Sequence, residues 1–145
     1  MNRTKRTERW HPLRITDPVY GVDYLVMWNV KSTPDEEAAV LNYIQDEFAY
    51  IIKPSDRESF VIDTKNACTT TFARGNIVIQ FGYDTHPGTS TLVHEAFHAM
   101  MAVFTWRGVH LSAQDDEHGA YYLGWLCSAI VEHGHKYKLW NGSEK

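Results

Sequence analysis

A pair of histidines with a glutamate between them is the part of this sequence whose residue types and spacing could carry chemistry. His94 and His98 are four residues apart, so on a helix they share one face, about one turn apart. Two imidazoles at that spacing can reach one zinc ion at ~2.0–2.1 Å. Glu95 can take a proton from a metal-bound water, as the His-Glu-x-x-His motif requires. The segment therefore predicts a zinc site with a general base beside it.

The alternative interpretation is a coincidental motif in a chain that has 8 histidines. A buried histidine is usually a hydrogen-bonded core residue. Here two imidazoles and a carboxylate occur together on a helix whose other residues are mostly apolar. Burying three polar groups without partners would be costly, and a metal ion would give them a partner. The pattern favours a metal site over a chance match.

The helix that carries the motif has clear boundary signals. Thr89 or Ser90 can cap its start, and Gly108 follows Trp106 and Arg107 as a natural residue for the end. Because apolar residues occur nearly all round it, the sequence predicts a buried helix. Another helix is predicted after Ser112, continuing to about His133, with Gly134 ending it.

A third protein ligand would complete the site, and its identity distinguishes classes of zinc peptidase. A metzincin needs Gly and His at the third and sixth positions after the second histidine, and Met101 and Phe104 occupy those positions. That class is excluded. His110 is a possible ligand from a loop. The carboxylates at the start of the next helix are further candidates: Asp115, Asp116 and Glu117.

The segment His94-Glu95-Ala96-Phe97-His98, followed after eighteen residues by Glu117, resembles the gluzincin zinc metallopeptidases, with the spacing of their aminopeptidase branch. The stretch Glu117-His118-Gly119-Ala120-Tyr121-Tyr122 is similar to the Glu-x-x-Ala stretch around the third ligand of that clan. The run 92–126 is also similar to small zincin-like proteins encoded by bacteriophages. The resemblance covers about a quarter of the chain strongly.

The resemblance implies a ligand set and a reaction. His94, His98 and Glu117 would bind Zn²⁺, and Glu95 would act as base and proton shuttle in the hydrolysis of a peptide or protein substrate. The strand at 77–81 would lie beside the cleft, where an extended peptide could pair with it.

The sequence also departs from the family. It has no Gly-x-Met-Glu-Asn segment, which reads a peptide amino terminus in the aminopeptidases, and Tyr121 stands where thermolysin-like enzymes have an aspartate. A developing oxyanion needs an electrophilic helper, and the residues leave five candidates open. These are Tyr83, His86, His110, His118 and Tyr121.

Several elements precede the motif. The segment 20–30 is apolar on both faces and predicts a central strand. Thr33-Pro34-Asp35-Glu36 predicts a helix start with a capping box, and Pro54 should stop that helix. Segments 59–63, 67–73 and 77–81 read as strands, the last two forming a hairpin across Gly75-Asn76.

Together these elements predict an α+β fold with a minimal zincin-like core. A small, mostly antiparallel sheet would pack against the active-site helix, backed by a C-terminal helix. Residues 1–17 are interpreted as a polar N-terminal tail, 18–135 as the metal-binding domain and 136–145 as a C-terminal tail.

Composition excludes several functional classes. A net charge of −4 and a pI near 6.0 give no electrostatic reason to bind nucleic acid, and no apolar run is long enough to span a bilayer. Cys68 and Cys127 are too few for a disulfide framework and fit a reducing compartment. We expect a cytoplasmic protein, in the host cytoplasm if it is encoded by a phage.

Two functions follow from the sequence. The first is zinc-dependent hydrolysis of a peptide bond, with Glu95 activating a zinc-bound water. The alternative is a zinc-binding phage structural or host-interaction protein that keeps the zincin fold without peptidase activity. A catalytic ion keeps a coordination position open for water, whereas a purely structural ion is closed by protein atoms.

Overall fold

A four-stranded sheet is the centre of the fold. The computed structural model describes residues 8–49, 52–60, 62, 66–72, 75–83, 87–114 and 116–139. The strands are β1 (Leu13–Thr16), β2 (Asp23–Val30), β3 (Ala67–Thr71) and β4 (Ile77–Gly82), in the order β1-β2-β4-β3. β2 and β4 are parallel, and the other two pairs are antiparallel. The predicted α+β class with a small, mostly antiparallel sheet is confirmed.

Helices cover both faces of this sheet. They are α1 (Pro34–Phe48), α2 (Pro54–Ser59), α3 (Thr89–Arg107) and α4 (Glu117–Lys136), and residues 8–10 are also helical. The predicted C-terminal helix is therefore present, although it begins later than Ser112 and continues through Gly134. No helix in the described ranges is both long enough and apolar enough to cross a membrane.

The alternation of side chains along β2 assigns a different core to each face of the sheet. Tyr24, Val26 and Trp28 pack with residues of α3 and α4. Leu25 and Met27 point the other way and pack with residues of α1. A strand that is buried on both faces reads as a continuous apolar run, so the predicted central position of this strand is confirmed by its place between β1 and β4.

The prediction of a strand at 59–63 is wrong. The prediction that Pro54 stops the preceding helix is also wrong, because that helix already ends at Phe48 and Pro54 is the first residue of α2. Proline has its φ fixed near the helical value, and its missing N–H costs nothing in the first turn. Phe60 and Ile62 follow α2 and are buried against α1 and the sheet, but they pair with no described strand. Residues 61 and 63 lie outside the described residues.

The interpretation of residues 1–17 as a tail missed part of the sheet. Leu13–Thr16 forms the edge strand β1, in which Leu13 and Ile15 pack on the core that includes α3 and α4. Two inward-facing apolar residues are too short a pattern to predict a strand. Trp10 is also buried, on the α1 side of the sheet. Residues 1–7, and 140–145 of the predicted C-terminal tail, lie outside the described residues.

A buried carboxylate joins this N-terminal segment to α1. Thr33 caps α1 as predicted, with its hydroxyl accepting the N–H of Glu36 at 3.2 Å. The Glu36 carboxylate does not complete the predicted capping box. Instead, its two oxygens accept hydrogen bonds from the guanidinium of Arg9, at 2.6 and 2.5 Å. It also accepts the backbone N–H of Lys31 at 3.1 Å and the indole N–H of Trp10 at 3.4 Å. One side chain thus connects three segments.

We expect Glu36→Ala to lower the free energy of unfolding by about 2–4 kcal/mol, because the substitution leaves these donors without their buried acceptor. The effect is measured by urea denaturation. Glu37→Ala is the matched control, since Glu37 is exposed on the same helix turn; it should change stability by no more than about 0.5 kcal/mol. Equal losses in the two variants would contradict the role of Glu36.

Candidate metal and catalytic site

The two histidines of the motif lie side by side on α3. Their Nε2 atoms are 3.1 Å apart, and the ring planes are inclined at 77°. Two nitrogens bound at ~2.0–2.1 Å to one tetrahedral ion are about 3.3–3.4 Å apart. The observed spacing is close to that separation and is also a hydrogen-bond distance. The structure brings His94 and His98 together with both imidazoles exposed.

Glu95 lies on the side of α3 that faces β3. Its side chain is 5% exposed, and its Oε2 accepts a hydrogen bond from the hydroxyl of Thr69 at 2.8 Å. The same hydroxyl is 3.1 Å from the backbone carbonyl oxygen of Glu95. Thr69 therefore fixes one carboxylate oxygen and connects the middle of β3 to the motif.

Glu95 and His98 line the same cavity. It has a volume of about 330 Å³, and its other wall is formed by β3. The residues contributed by the strand are Ala67, Cys68, Thr69 and Thr71. A carboxylate and an imidazole in one cavity next to an extended strand could act on a substrate held between them.

The strand beside this cavity is not the one that the sequence predicted. We expected 77–81 to border the cleft with an edge available for a peptide. β4 instead lies between β2 and β3, so both of its edges are already paired. The strand beside the motif is β3, which is at the end of the sheet order and has one neighbour among the described strands. Periodicity cannot reveal this order, because it does not say which strands pair.

Glu117 is the first residue of α4 and is exposed. The described residues contain no group of three or more His, Cys, Asp or Glu side chains arranged to hold a metal ion. The carboxylate of Glu117 is therefore not grouped with the two imidazoles. His110 and Asp116, two other candidates for the third ligand, are also exposed, and Asp115 lies outside the described residues.

Packing at the start of α4 explains where Glu117 lies. The ring of His118 stacks on Phe104, with centroids 5.4 Å apart and planes within 8°. A Cβ on Gly119 would be 3.0 Å from the Leu111 side chain and 3.6 Å from Phe104, so the glycine allows close approach. Phe104 is six residues beyond His98, which is about 9 Å along the helix axis. These contacts hold the start of α4 near the C-terminal half of α3.

The residues present fit a zinc ion in part. Two imidazole nitrogens are spaced for a shared ion and are accessible to it, and imidazole is a donor that zinc prefers. The third protein donor that a catalytic zinc site requires is not assembled among the described residues. Of the three predicted ligands, the geometry supports the two histidines.

The predicted oxyanion helpers lie elsewhere in the described structure. Tyr83 packs under the Lys31 ammonium, which is 4.3 Å from the ring centroid. His118 is hydrogen-bonded through Nε2 to the hydroxyl of Tyr20. Tyr121 is 72% exposed on α4. None of them lines the cavity beside Glu95. His86 lies outside the described residues.

Sequence reasoning missed Thr69 and Cys68 as residues of the site. Both line the cavity beside Glu95, and Thr69 also bonds to that carboxylate. The available signal was the run Ala67–Thr71, in which four of five residues are Cys or Thr. A strand with polar side chains on both faces does not serve only a core, and this one borders the candidate site.

The prediction that α3 is buried all round is wrong. One side of the helix packs on the sheet, whereas the side that carries the two imidazoles is exposed. Large apolar side chains on this exposed part of the helix are between 38% and 47% exposed; they are Val93, Phe97, Met101 and Trp106. We call these four residues the apolar strip. An apolar surface next to polar side chains is typical of a binding site.

Comparison with known proteins assigns no family to the chain. No protein-family model, curated protein or solved structure matches it. The chemistry of the site is therefore inferred from its own residues and geometry.

Proposed function

We propose that the protein is a zinc-dependent hydrolase of peptide bonds of the gluzincin type. His94, His98 and Glu117 would hold the ion, and Glu95 would act as the general base. The observation that carries the proposal is the 3.1 Å separation of the two Nε2 atoms, together with Glu95 in a cavity shared with His98.

A zinc ion held by His94, His98 and Glu117 would supply Lewis acidity toward a water molecule and a substrate carbonyl. The protein's own residues would transfer the proton from the water to the leaving amide nitrogen. Glu95 takes a proton from the attacking water as its oxygen bonds to the carbonyl carbon, and it returns that proton to the amide nitrogen as the C–N bond breaks. The Thr69 hydroxyl, 2.8 Å from Oε2, holds the carboxylate in one orientation during both transfers.

The substrate that this site fits is a peptide in extended conformation. β3 lies at the edge of the sheet beside the cavity, and the backbone groups of an edge strand can pair with an added strand. The apolar strip would give such a substrate hydrophobic contacts close to the reacting groups. Cys68 and Cys127 are both thiols rather than a disulfide, which fits a reducing compartment. That compartment would be the cytoplasm, which would be that of the host if the protein is phage-encoded.

A second function is favoured by two observations. Glu117 is not grouped with the imidazoles, and the apolar strip is exposed beside them. A zinc-binding structural or host-interaction protein of a phage would need such a surface and would not need a base. In that case zinc would be bound and peptides would remain intact.

The role of Glu117 can be tested by zinc affinity. We expect Glu117→Ala to weaken zinc binding by at least about 100-fold, because a three-ligand site would lose a charged donor. Competition against a chromophoric chelator measures the affinity. The matched control is Glu132→Ala, since Glu132 is an exposed glutamate on the same helix and is not among the candidate ligands.

Unchanged affinity in Glu117→Ala would exclude this carboxylate as a ligand. His110→Ala and Asp116→Ala are then the informative variants, because His110 and Asp116 are the other described candidates outside α3. A loss in His110→Ala with none in Glu117→Ala would replace the proposed third ligand.

A further inference from the structure

A cavity of about 500 Å³ lies where the two parallel strands of the sheet end. Asn29, near the end of β2, and Gly82, at the end of β4, both line it. Ligands commonly bind just beyond the carboxyl ends of parallel strands, and the volume is that of a small-molecule site. The described residues that line it include neither a residue of the motif on α3 nor a residue of the cavity beside Glu95. The two sites are therefore distinct.

The backbone of β2 is irregular at this cavity. Its register with β4 shifts between Met27 and Val30, and Asn29 has a left-handed backbone, with φ of 56°. Two hydrogen bonds hold this residue: its side-chain amide donates to the carbonyl oxygen of Arg9 at 3.1 Å, and the Arg9 guanidinium donates to its carbonyl oxygen at 2.6 Å. A bulge bends its strand, and non-glycine residues with positive φ are concentrated at binding sites. The end of β2 is therefore held in an unusual conformation beside the cavity.

The charged groups at this cavity are positive. Lys138 is the charged residue among the described residues that line it, and its side chain is exposed. Its ammonium group belongs to none of the ion pairs found in the described part of the chain. A second ammonium group, that of Lys31, lies 4.3 Å from the ring centroid of Tyr83, which also lines the cavity. Because the chain has a net charge of −4, this positive region is a local feature.

The rest of the wall is largely aromatic and apolar. Trp28 and Phe81 are buried and stack with ring centroids 4.4 Å apart, whereas Tyr83 is 46% exposed. Pro87 and Leu139 also line the cavity. The accessible aromatic surface is therefore that of Tyr83, with the buried pair at the inner wall.

We infer that this cavity binds a small aromatic carboxylate. The carboxylate would accept hydrogen bonds from the Lys138 ammonium group, and the ring of the ligand would pack on Tyr83 and Leu139. Ring packing would supply most of the affinity, and the exposed ion pair would add a smaller, selective contribution. The first turn of α3 follows Pro87 closely and has no side-chain cap, so its partial positive charge also favours an anion.

Other ligand classes fit the cavity less well. A cation would be repelled by the two ammonium groups. Inorganic phosphate would use an ammonium group but would leave the aromatic wall without a partner. A neutral aromatic molecule would pack on the wall and gain nothing from Lys138, so charge is the property to test. The inference is independent of the zinc proposal, because it uses none of the same residues.

Naphthalene-2-carboxylate and naphthalene-2-carboxamide are the paired probes, because they share a shape and differ in charge. Binding is measured by NMR titration of the full-length, zinc-loaded protein at low ionic strength. We expect the carboxylate to bind about threefold more tightly than the amide, and added salt should reduce this preference. Lys138→Gln should lower the affinity for the carboxylate about threefold and leave that for the amide nearly unchanged. Lys136→Gln is the matched control, since Lys136 is an exposed lysine of α4 that does not line the cavity.

Tyr83→Ala tests the aromatic contact separately. It should weaken the binding of both probes about three- to tenfold and leave the preference for the carboxylate in place. Because Tyr83 and Lys138 are both exposed, both variants should fold.

The positions of the spectral changes identify the site. We expect them to centre on Gly82, Tyr83 and Leu139. Changes centred on His94 and His98 would indicate that the carboxylate binds at the metal site and would overturn the inference. Equal affinity of the wild type for the two probes, or the same loss in Lys136→Gln as in Lys138→Gln, would also overturn it.

Discussion

Replacing His94 or His98 with alanine is expected to abolish stoichiometric zinc binding. The wild-type protein should retain one equivalent of zinc after dialysis, and each variant should lose affinity by at least about 1000-fold. In the proposed ligand set each imidazole would supply one of three protein donors, and the remaining two could not close the site. Metal analysis by mass spectrometry gives the stoichiometry, and competition with a chelator gives the affinity. Because both side chains are exposed, the substitutions should leave the apo fold intact.

His135→Ala is the matched control for this result. His135 is an exposed histidine in the last turn of α4, so its removal lowers the histidine count without touching α3. Zinc retained at one equivalent in His94→Ala would exclude the motif as the metal site. Loss of zinc in His135→Ala would indicate binding at the end of α4 instead.

Replacing Glu95 with glutamine is expected to remove hydrolysis while zinc stays bound. Glutamine keeps an oxygen that can accept the Thr69 hydrogen bond but cannot take a proton, so turnover should fall by about 10²–10⁴-fold. The probes are fluorescently labelled casein and a degenerate peptide library read by mass spectrometry. Zinc content measured on the same samples separates a lost base from a lost metal.

Two controls make the Glu95 result specific. Glu132→Gln makes the same chemical change at an exposed position on α4 and should leave turnover unchanged. Thr69→Val removes the hydroxyl that orients Oε2 and should lower turnover less than Glu95→Gln does. Turnover that is equal in wild type and Glu95→Gln would exclude Glu95 as the base. Bound zinc without any cleavage by the wild type would favour the host-interaction function.

Local sequence patterns predicted much of the fold. Thr33-Pro34 defines the start of α1, and Gly108 ends α3 in the left-handed conformation, with φ of 69°. These signals depend on a few adjacent residues. The extent of β1 could not be predicted, because its two inward residues gain their stability from strand pairing with β2. The α2 helix was missed because Pro54 is both a helix stop and a favoured first helical residue.

The same distinction between local patterns and contacts between distant elements applies to the candidate site. The closeness of His94 and His98 follows from helix geometry within one element, so the sequence was sufficient. The position of Glu117 depends on how α4 packs on α3 through the ring of Phe104 and the glycine at 119. Spacing along the chain does not determine that contact. The partner of Glu95 comes from another strand, and no local pattern reveals it.

The Thr69 hydroxyl has a consequence for how a substrate and the base would influence each other. It lies within hydrogen-bonding distance of both the carboxylate and the backbone carbonyl oxygen of Glu95. A displacement of β3 by a fraction of an ångström would therefore lengthen the hydrogen bond between Thr69 and Glu95. Under the proposed function, a peptide that pairs along the outer side of this strand would act on the same element, so substrate binding would change the orientation of the carboxylate.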